Sequence, residues 1–330
     1  MKIAFFVNEV ATEDSEFTTT RLAMAAAKLD HEVWYAGVGD VDYDPNEKVR
    51  ACGHRAVYGP GDELKSFLLR AQDVEQQGSI ELDDFDAVWL RNDSIQDLQD
   101  RPWATSMGVV FGQMLMDRGV TVVNDPVGLS RAGSKLYLQE FPADIRPCCT
   151  VTRHFEEIKD FIARVGRTIV KPLYGAQGRN VFVIEDENDP NLKQIVAAIM
   201  EDGYVTAQEF VPGAEEGDIR LFLLEGELLQ VDGTYAAFKR VPRGTDVRAN
   251  ISTGGKPEDV GISEKELTVV ETMRDRLVKD GMFFVGIDLI GDKVVEINAE
   301  SPGGMQSVEH FSGIDFGLTI CDALERRASS

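Results

Sequence analysis

Four apolar runs in the first 125 residues are separated by segments of helical period, and that alternation admits few architectures. The runs are KIAFFV from Lys2, HEVWYAG from His31, DAVWLR from Asp86 and VTVVND from Val120, with helical spacing over 17–29, 62–71 and 102–117. Strands joined by crossover helices build a parallel sheet covered on both faces. Residues 1–124 are therefore expected to form an N-terminal open parallel α/β domain with functional loops at the strand carboxyl ends. After Pro126 the pattern changes. A helix-like stretch, VGLSRAGSKLYLQEF, leads into PCCTVT, a helix over 154–163, the strands RTIVKPL and NVFVIE around a glycine loop, a helix over 191–200 and the strand YVTAQEF. These predict an α+β unit over 125–211. The remainder, 212–330, reads as antiparallel: IRLFLLEGELLQVDG turns near Glu225-Gly226 and FFVGIDLIGDKVVEIN near Gly291-Asp292. Helices over 263–279 and 317–326 are expected to cover that sheet.

Composition narrows the partners. Fifty-seven acidic residues against 34 basic ones give a net charge of −23, which repels nucleic acid and anionic lipid. Anionic substrates would then need a focused cationic pocket, so clustered arginines matter. The opening MKIAFFVNEV has too short an apolar run for a signal peptide, whose apolar core is about 7–15 residues, and no run approaches the roughly 18–20 residues of a membrane span. A cytoplasmic protein is expected. Cys52, Cys148, Cys149 and Cys321 lack C-x-x-C spacing, and the four histidines lack ligand spacing, so neither a disulfide framework nor a zinc site is expected.

Two stretches imitate phosphate loops. GLSRAGSK (128–135) inverts the Lys-Ser order of a P-loop and lies in a helical pattern, and GVGDVD from Gly37 lacks the third glycine of a dinucleotide fingerprint. VKPLYGAQGRNVFVIE differs, because strands flank a loop in which Gly175 and Gly178 let backbone amides approach an anion, with Lys171 just before it.

Alternation also sets the register of GIDLIGDKVVEIN. A two-residue turn at Gly291-Asp292 would put Asp288 opposite Val295, whereas a three-residue loop over 291–293 would put it opposite Glu296. Only the second gathers Ile287, Leu289, Val295 and Ile297 on one face, with Asp288, Glu296 and Asn298 on the other. Two carboxylates and a carboxamide suit Mg²⁺, which prefers hard oxygen ligands and keeps room for phosphates and water.

In order along the chain stand Lys135, Lys171 before the glycine loop, AQEFVPG, GDIR, KRVPRGTDVRANISTGG and the Asp288/Glu296/Asn298 hairpin. Together these resemble the ATP-grasp superfamily and, within it, the bacterial glutathione synthetase family. The resemblance implies an ATP-grasp fold: an N-terminal substrate-binding domain (1–124), a central lid subdomain (125–211) and a C-terminal antiparallel-sheet domain (212–330) holding the metal and substrate sites. It assigns Lys135 and Lys171 to the nucleotide phosphates under a loop of residues 174–180 that includes Tyr174, Gly175 and Gly178. It assigns the backbone of Gln208, Glu209, Phe210 and Val211 to adenine, and Asp218 to ribose. Arg220 and Arg240 would steady the transferring phosphoryl and the acceptor carboxylate, and Arg248 and Asn250 would close on substrate. Mg²⁺, or Mn²⁺ in its place, would be held by Asp288, Glu296 and Asn298, with ATP as co-substrate.

The implied activity is a carboxylate–amine ligation through an acyl phosphate, joining γ-glutamylcysteine to glycine in a homo-oligomer, either a dimer or a tetramer. Two segments depart from that family. NDSI follows VWLR where the family commonly has lysine, aspartate and two prolines, which alters the pocket around Arg91. GGMQSVEHFSG follows Ser301-Pro302, where Gly303 and Gly304 offer backbone donors and room. A ligase for another dipeptide or amino-acid pair, and a non-catalytic ATP-binding module, are the alternative readings.

Overall fold

The computed structural model describes residues 1–175, 179–242 and 255–329. The four apolar runs form the parallel strands Lys2–Val7, Glu32–Gly37, Ala87–Leu90 and Thr121–Val123, with the second, first, third and fourth side by side. Beyond Glu32–Gly37 the sheet is not parallel as expected. Val49–Ala56 pairs antiparallel there, its first residues pair antiparallel with Val41–Tyr43 on that same side, and Gln77–Glu81 pairs antiparallel on its other side. Its sequence, VRACGHRA, mixes charged and small residues and so lacks an apolar strand signature. At Gly53 a side chain would meet Ile80 Cδ1 at 2.5 Å, so a residue that reads as a breaker is what lets the strands close up.

Among the described residues a second, four-stranded sheet is antiparallel, in the order Phe182–Ile184, Thr168–Pro172, Val205–Glu209, Cys149–Thr152. Helices Phe155–Val165 and Leu192–Glu201 bury Ile158, Phe161, Ile162, Val196 and Ile199 against it, forming a core of its own. The stretch expected to be one helix after Pro126 breaks. Helix Pro126–Ala132 ends before Gly133-Ser134, and Lys135–Glu140 continues as a 3₁₀ turn, with Asp125 capping the first helix through the Val127 and Gly128 amides.

The third sheet is antiparallel, with Lys256–Glu258, Ala237–Val241, Asp218–Leu224, Phe284–Ile290 and Lys293–Asn298 in that spatial order. Helix Glu264–Lys279, started by a Ser263/Glu266 capping box, lays Met273 and Leu277 into the core under it. The last helix does not cover this sheet as expected. Phe316–Ala328 packs on Thr18–Lys28 of the first unit, where the absent side chain of Gly317 admits Ala25. Its Phe316, Ile320 and Leu324 join a core that runs from Phe5 and Trp89 of the first sheet to Phe283 and Phe284 of the third.

That shared core joins the two sheets. Trp89 meets Phe283 and Phe284 edge-on, at centroid separations of 5.6 and 6.2 Å, and Phe284 stacks on Phe222 at 5.7 Å. Asn124 adds a polar stitch. Its Oδ1 accepts from the Phe283 and Phe284 amides at 2.7 and 2.8 Å, and its Nδ2 donates to the Phe284 and Ala299 carbonyls at 3.0 and 2.6 Å. Every hydrogen-bonding valence of the buried carboxamide is thereby met. Among the described residues no helix is long and apolar enough to cross a membrane.

Candidate active site

The hairpin of Phe284–Ile290 and Lys293–Asn298 positions the site. Ile290 pairs with Lys293 across the two-residue Gly291-Asp292 turn and Leu289 with Val294; then the register shifts, so that Asp288 faces Glu296 and Gly286 faces Asn298. The expected Asp288/Glu296 pairing is present, but the expected three-residue loop is not. A tight turn and a β-bulge at Val295 produce the pairing together, and Val294 takes the core position beside Leu289 while Val295 lines the cavity. The bulge lets both the turn and the alternating burial be satisfied.

Asp288 is 1% exposed and is gripped from behind by two neighbouring strands. Arg220, its cross-strand partner, donates from Nε to Oδ1 and from Nη2 to Oδ2, the latter at 2.9 Å. Arg240, opposite Asp218, donates from Nη2 to Asp288 Oδ2 at 2.7 Å and from Nε to Asp218 Oδ1 at 2.6 Å. Asn298 Nδ2 reaches Asp288 Oδ2 at 3.4 Å. Burial alone would raise the Asp288 carboxyl, but the two guanidiniums outweigh it and hold the group well below the usual carboxylate range. Asp218 moves the other way: burial, then the charge of Asp288, push it up to about 6 against the pull of Arg240. Arg240, despite burial, is held above its ordinary value by the two carboxylates. The two arginines are thus fixed in place with their cavity side open to an anion.

They line a cavity of about 420 Å³ between the three sheets. Lys135, Lys171, Gly175 and Gln208 line one part of it, and Glu296 and Asn298 the floor; Arg91, Ser301, Gly303 and Gly304 line the part against the N-terminal sheet. Lys135 Nζ donates to the Gly175 carbonyl at 2.6 Å. Burial depresses its ammonium to about 8, with Glu296 opposing the shift and Lys171 adding to it. Lys171 is lowered as well, by burial, against the charges of Glu296, Cys149 and Asp288. Two desolvated lysines facing one space form an anion site.

Other expected residues stand back from the cavity. Tyr174 is 53% exposed. Glu209 is exposed, its carboxylate accepting from the Cys148 amide at 3.3 Å, and Phe210 lies under Arg167 at 3.8 Å. The Glu209 and Phe210 amides bond the Cys148 and Arg167 carbonyls at 2.9 and 3.0 Å. Of that expected adenine segment, the Val211 amide has no backbone acceptor among the described residues. Asp218 and Pro302 are buried and do not line the cavity, and the Pro302 carbonyl accepts from Arg91 Nη2 at 3.2 Å. The Gly303 carbonyl accepts from Arg220 Nη1 at 3.0 Å. Gly304, at φ +105°, stands where a Cβ would meet the Phe238 ring at 2.7 Å. Gly178, Arg248 and Asn250 lie outside the described residues.

The chemistry of the donor set fits a hard divalent cation in part. Glu296 and Asn298 present oxygen-bearing side chains on the cavity floor, whereas both Asp288 oxygens are engaged by arginine. Several cavity residues were not singled out in the sequence: Glu13, Thr19 and Glu300, with Ser94 noted only as part of NDSI. Ser94 donates from its amide and hydroxyl to the Glu300 carboxylate at 2.8–2.9 Å, and Arg91 Nε donates to Thr19 Oγ1 at 3.2 Å. Burial and the charge of Asp93 push Glu300 up to about 7, against the Ser94 bonds. A signal for Glu300 was available, since it continues the two-residue period of Glu296 and Asn298.

Comparison with known proteins agrees along the whole chain. Residues 1–130 match the family model described as prokaryotic glutathione synthetase, N-terminal domain, and residues 134–313 the one described as prokaryotic glutathione synthetase, ATP-grasp domain. The chain is 33% identical to the glutathione synthetase of Gloeobacter violaceus, over 98% of this chain and 96% of that one. It is 30% identical to that of Synechococcus elongatus, over 98% of each. Among solved structures, D-cycloserine synthetase DcsG superposes with a TM-score of 0.66 at 15% identity over 99% of both chains. The ATP-grasp ligase PsnB, complexed with its minimal precursor, gives 0.61 at 18% identity over 98% of both. The ATP-grasp architecture expected from the sequence is therefore the observed one.

Proposed function

The chain belongs to the prokaryotic glutathione synthetase family, and on that premise we propose that it joins γ-glutamylcysteine to glycine with cleavage of ATP to ADP and phosphate. The observation that carries this reading is the meeting, around one cavity, of two desolvated lysines and two carboxylate-braced arginines. Such a set positions anions and stabilises charge without a nucleophilic side chain. The γ-phosphoryl group moves to an oxygen of the substrate carboxylate, giving an acyl phosphate and ADP. The glycine amine then attacks the acyl carbon, the carbon–oxygen bond to phosphate breaks, and the amine proton is released. Lys135 and Lys171 hold the ATP phosphates; Arg220 and Arg240 hold the transferring phosphoryl group and the acceptor carboxylate; and the Val211 amide is the donor to adenine. Asp218 lies near the ribose end.

A divalent cation, Mg²⁺ in this proposal with Mn²⁺ as a substitute, would be held by Glu296 and Asn298, with Asp288 joining in exchange for an arginine contact. When bound it supplies charge neutralisation between ATP phosphates and the anionic substrate. A cytoplasmic location and a homo-oligomeric assembly belong to the same proposal, as does the division into substrate-binding, lid and C-terminal units at residues 124 and 211.

The deciding assay is ADP release against a panel of dipeptides and amino acids with product masses read out. Release is expected only when γ-glutamylcysteine and glycine are both present, with glutathione as product; release with another pair alone would refute the substrate assignment. The lowered Lys135 makes a second prediction. Below pH 8 its ammonium already carries the proton, whereas above pH 8 a bound polyphosphate must recruit one. ATP binding at pH 8.5 is therefore expected to take up protons, and at pH 6.5 the Lys135 share is expected to vanish. Calorimetry in two buffers of different ionisation enthalpy measures this, and Lys135→Arg should remove that share at pH 8.5.

A further inference from the structure

At the N-terminal end of the cavity, the segments 91–95 and 299–306 touch each other, and each runs into a stretch, NDSI after Arg91 and GGMQ after Pro302, where the sequence leaves its family's pattern. Ser94 clasps Glu300 through amide and hydroxyl, and Arg91 Nη2 bonds the Pro302 carbonyl. The polar groups left over there are complementary in kind. Among the described residues, Arg91, 3% exposed, has a buried Nη1 with no partner, and Glu13 Oε2 and Gln306 Oε1 are buried acceptors with none. All three residues line the cavity beside Glu300 and Asp93. Buried groups of this kind in native structures belong to a ligand or to ordered water. One orphan donor on a cation and two orphan acceptors beside carboxylates describe a receptor for a zwitterion: a carboxylate for Arg91 and an ammonium, with three N–H donors, for the acceptors.

Building on the ligase reading above, we propose that Glu300, held by Ser94, is a specificity-determining residue that, together with the orphan acceptors Glu13 Oε2 and Gln306 Oε1, receives the α-ammonium of the carboxylate substrate while Arg91 receives the neighbouring α-carboxylate. The chosen substrate class is then an acid whose far end is a free amino acid, and des-amino analogues are rejected because Glu300 would face no cation.

The test is calorimetric binding of γ-glutamyl-α-aminobutyrate and of its des-amino counterpart, glutaryl-α-aminobutyrate, to the full-length protein with ATP analogue and Mg²⁺. The native protein is expected to prefer the amine-bearing ligand by about 10–100-fold, the range of a buried hydrogen bond to a charged group. Glu300→Gln keeps the shape and the Ser94 contact but is expected to erase most of that preference, leaving the des-amino affinity and ATP affinity unchanged. Ser94→Ala, which loosens the clasp, is expected to reduce the preference partway, and melting curves confirm folding of both. Equal binding of the two ligands by the native protein, or an undiminished preference in Glu300→Gln, would overturn the assignment. Because the readout is binding, the outcome stands apart from turnover: a protein that prefers the amine yet makes no glutathione from γ-glutamylcysteine and glycine would sink the reaction and keep the receptor.

Discussion

Arg240→Lys is expected to lower kcat by about 10²–10³-fold while leaving the protein folded, the loss seen when one preorganised donor to a developing charge is removed. Arg240 spans two carboxylates, from Nε to Asp218 and from Nη2 to Asp288, and still lines the cavity. A lysine keeps the charge but offers one point donor, so it cannot hold both carboxylates and face the substrate in a fixed plane. Arg240→Met goes further, because it leaves Asp218 and Asp288 buried with only Arg220 between them. Breaking a buried pair in this way costs about 3–5 kcal/mol, so that variant is expected to melt early. Steady-state ADP release together with thermal unfolding separates the two effects. If Arg240→Lys retained kcat within a few-fold, the guanidinium would be a structural brace only.

Legibility of the fold followed the strength of local pattern. The four parallel strands are solid apolar runs, and they stood out because both sheet faces are buried. Val49–Ala56 was hidden because its pairing depends on Trp34 and Ile80 closing over Gly53, a tertiary fact with no local trace. Helix Phe316–Ala328 was recognisable as a helix, but its partner Thr18–Lys28 lies some three hundred residues away and no period encodes that choice. In the hairpin, alternation correctly paired Asp288 with Glu296. It misassigned the turn, because a bulge adds one residue without changing which faces are apolar. The same limit applies to the site. Lys135, Lys171 and the arginines were reached through motifs, whereas Ser94 and Glu300 become partners only when the first and third sheets share a core.

Asp288 and Glu296 face each other across one ladder, yet their removal is expected to have opposite signatures. Glu296 lines the cavity and Asp288 lies behind it, holding two arginines. Glu296→Gln is expected to weaken Mg²⁺-dependent ATP binding by at least about 100-fold, since a hard cation loses its anionic ligand, with little change in melting temperature. Asp288→Asn is expected to cost about 3–5 kcal/mol of stability even with a chelator present, because Arg220 and Arg240 lose the charge that compensates their burial. The pH dependence follows from the sign of the shift. A carboxyl held below its unfolded value contributes stability that is complete above about pH 4 and fades as acid protonates it in the folded state. The stability gap between the native protein and Asp288→Asn should accordingly be widest near neutrality and narrow as the pH is lowered below about 4. Denaturant melts across that range, with and without Mg²⁺, would decide the matter. A gap that appears only when Mg²⁺ is present would make Asp288 a metal ligand first and the anchor of the arginines second.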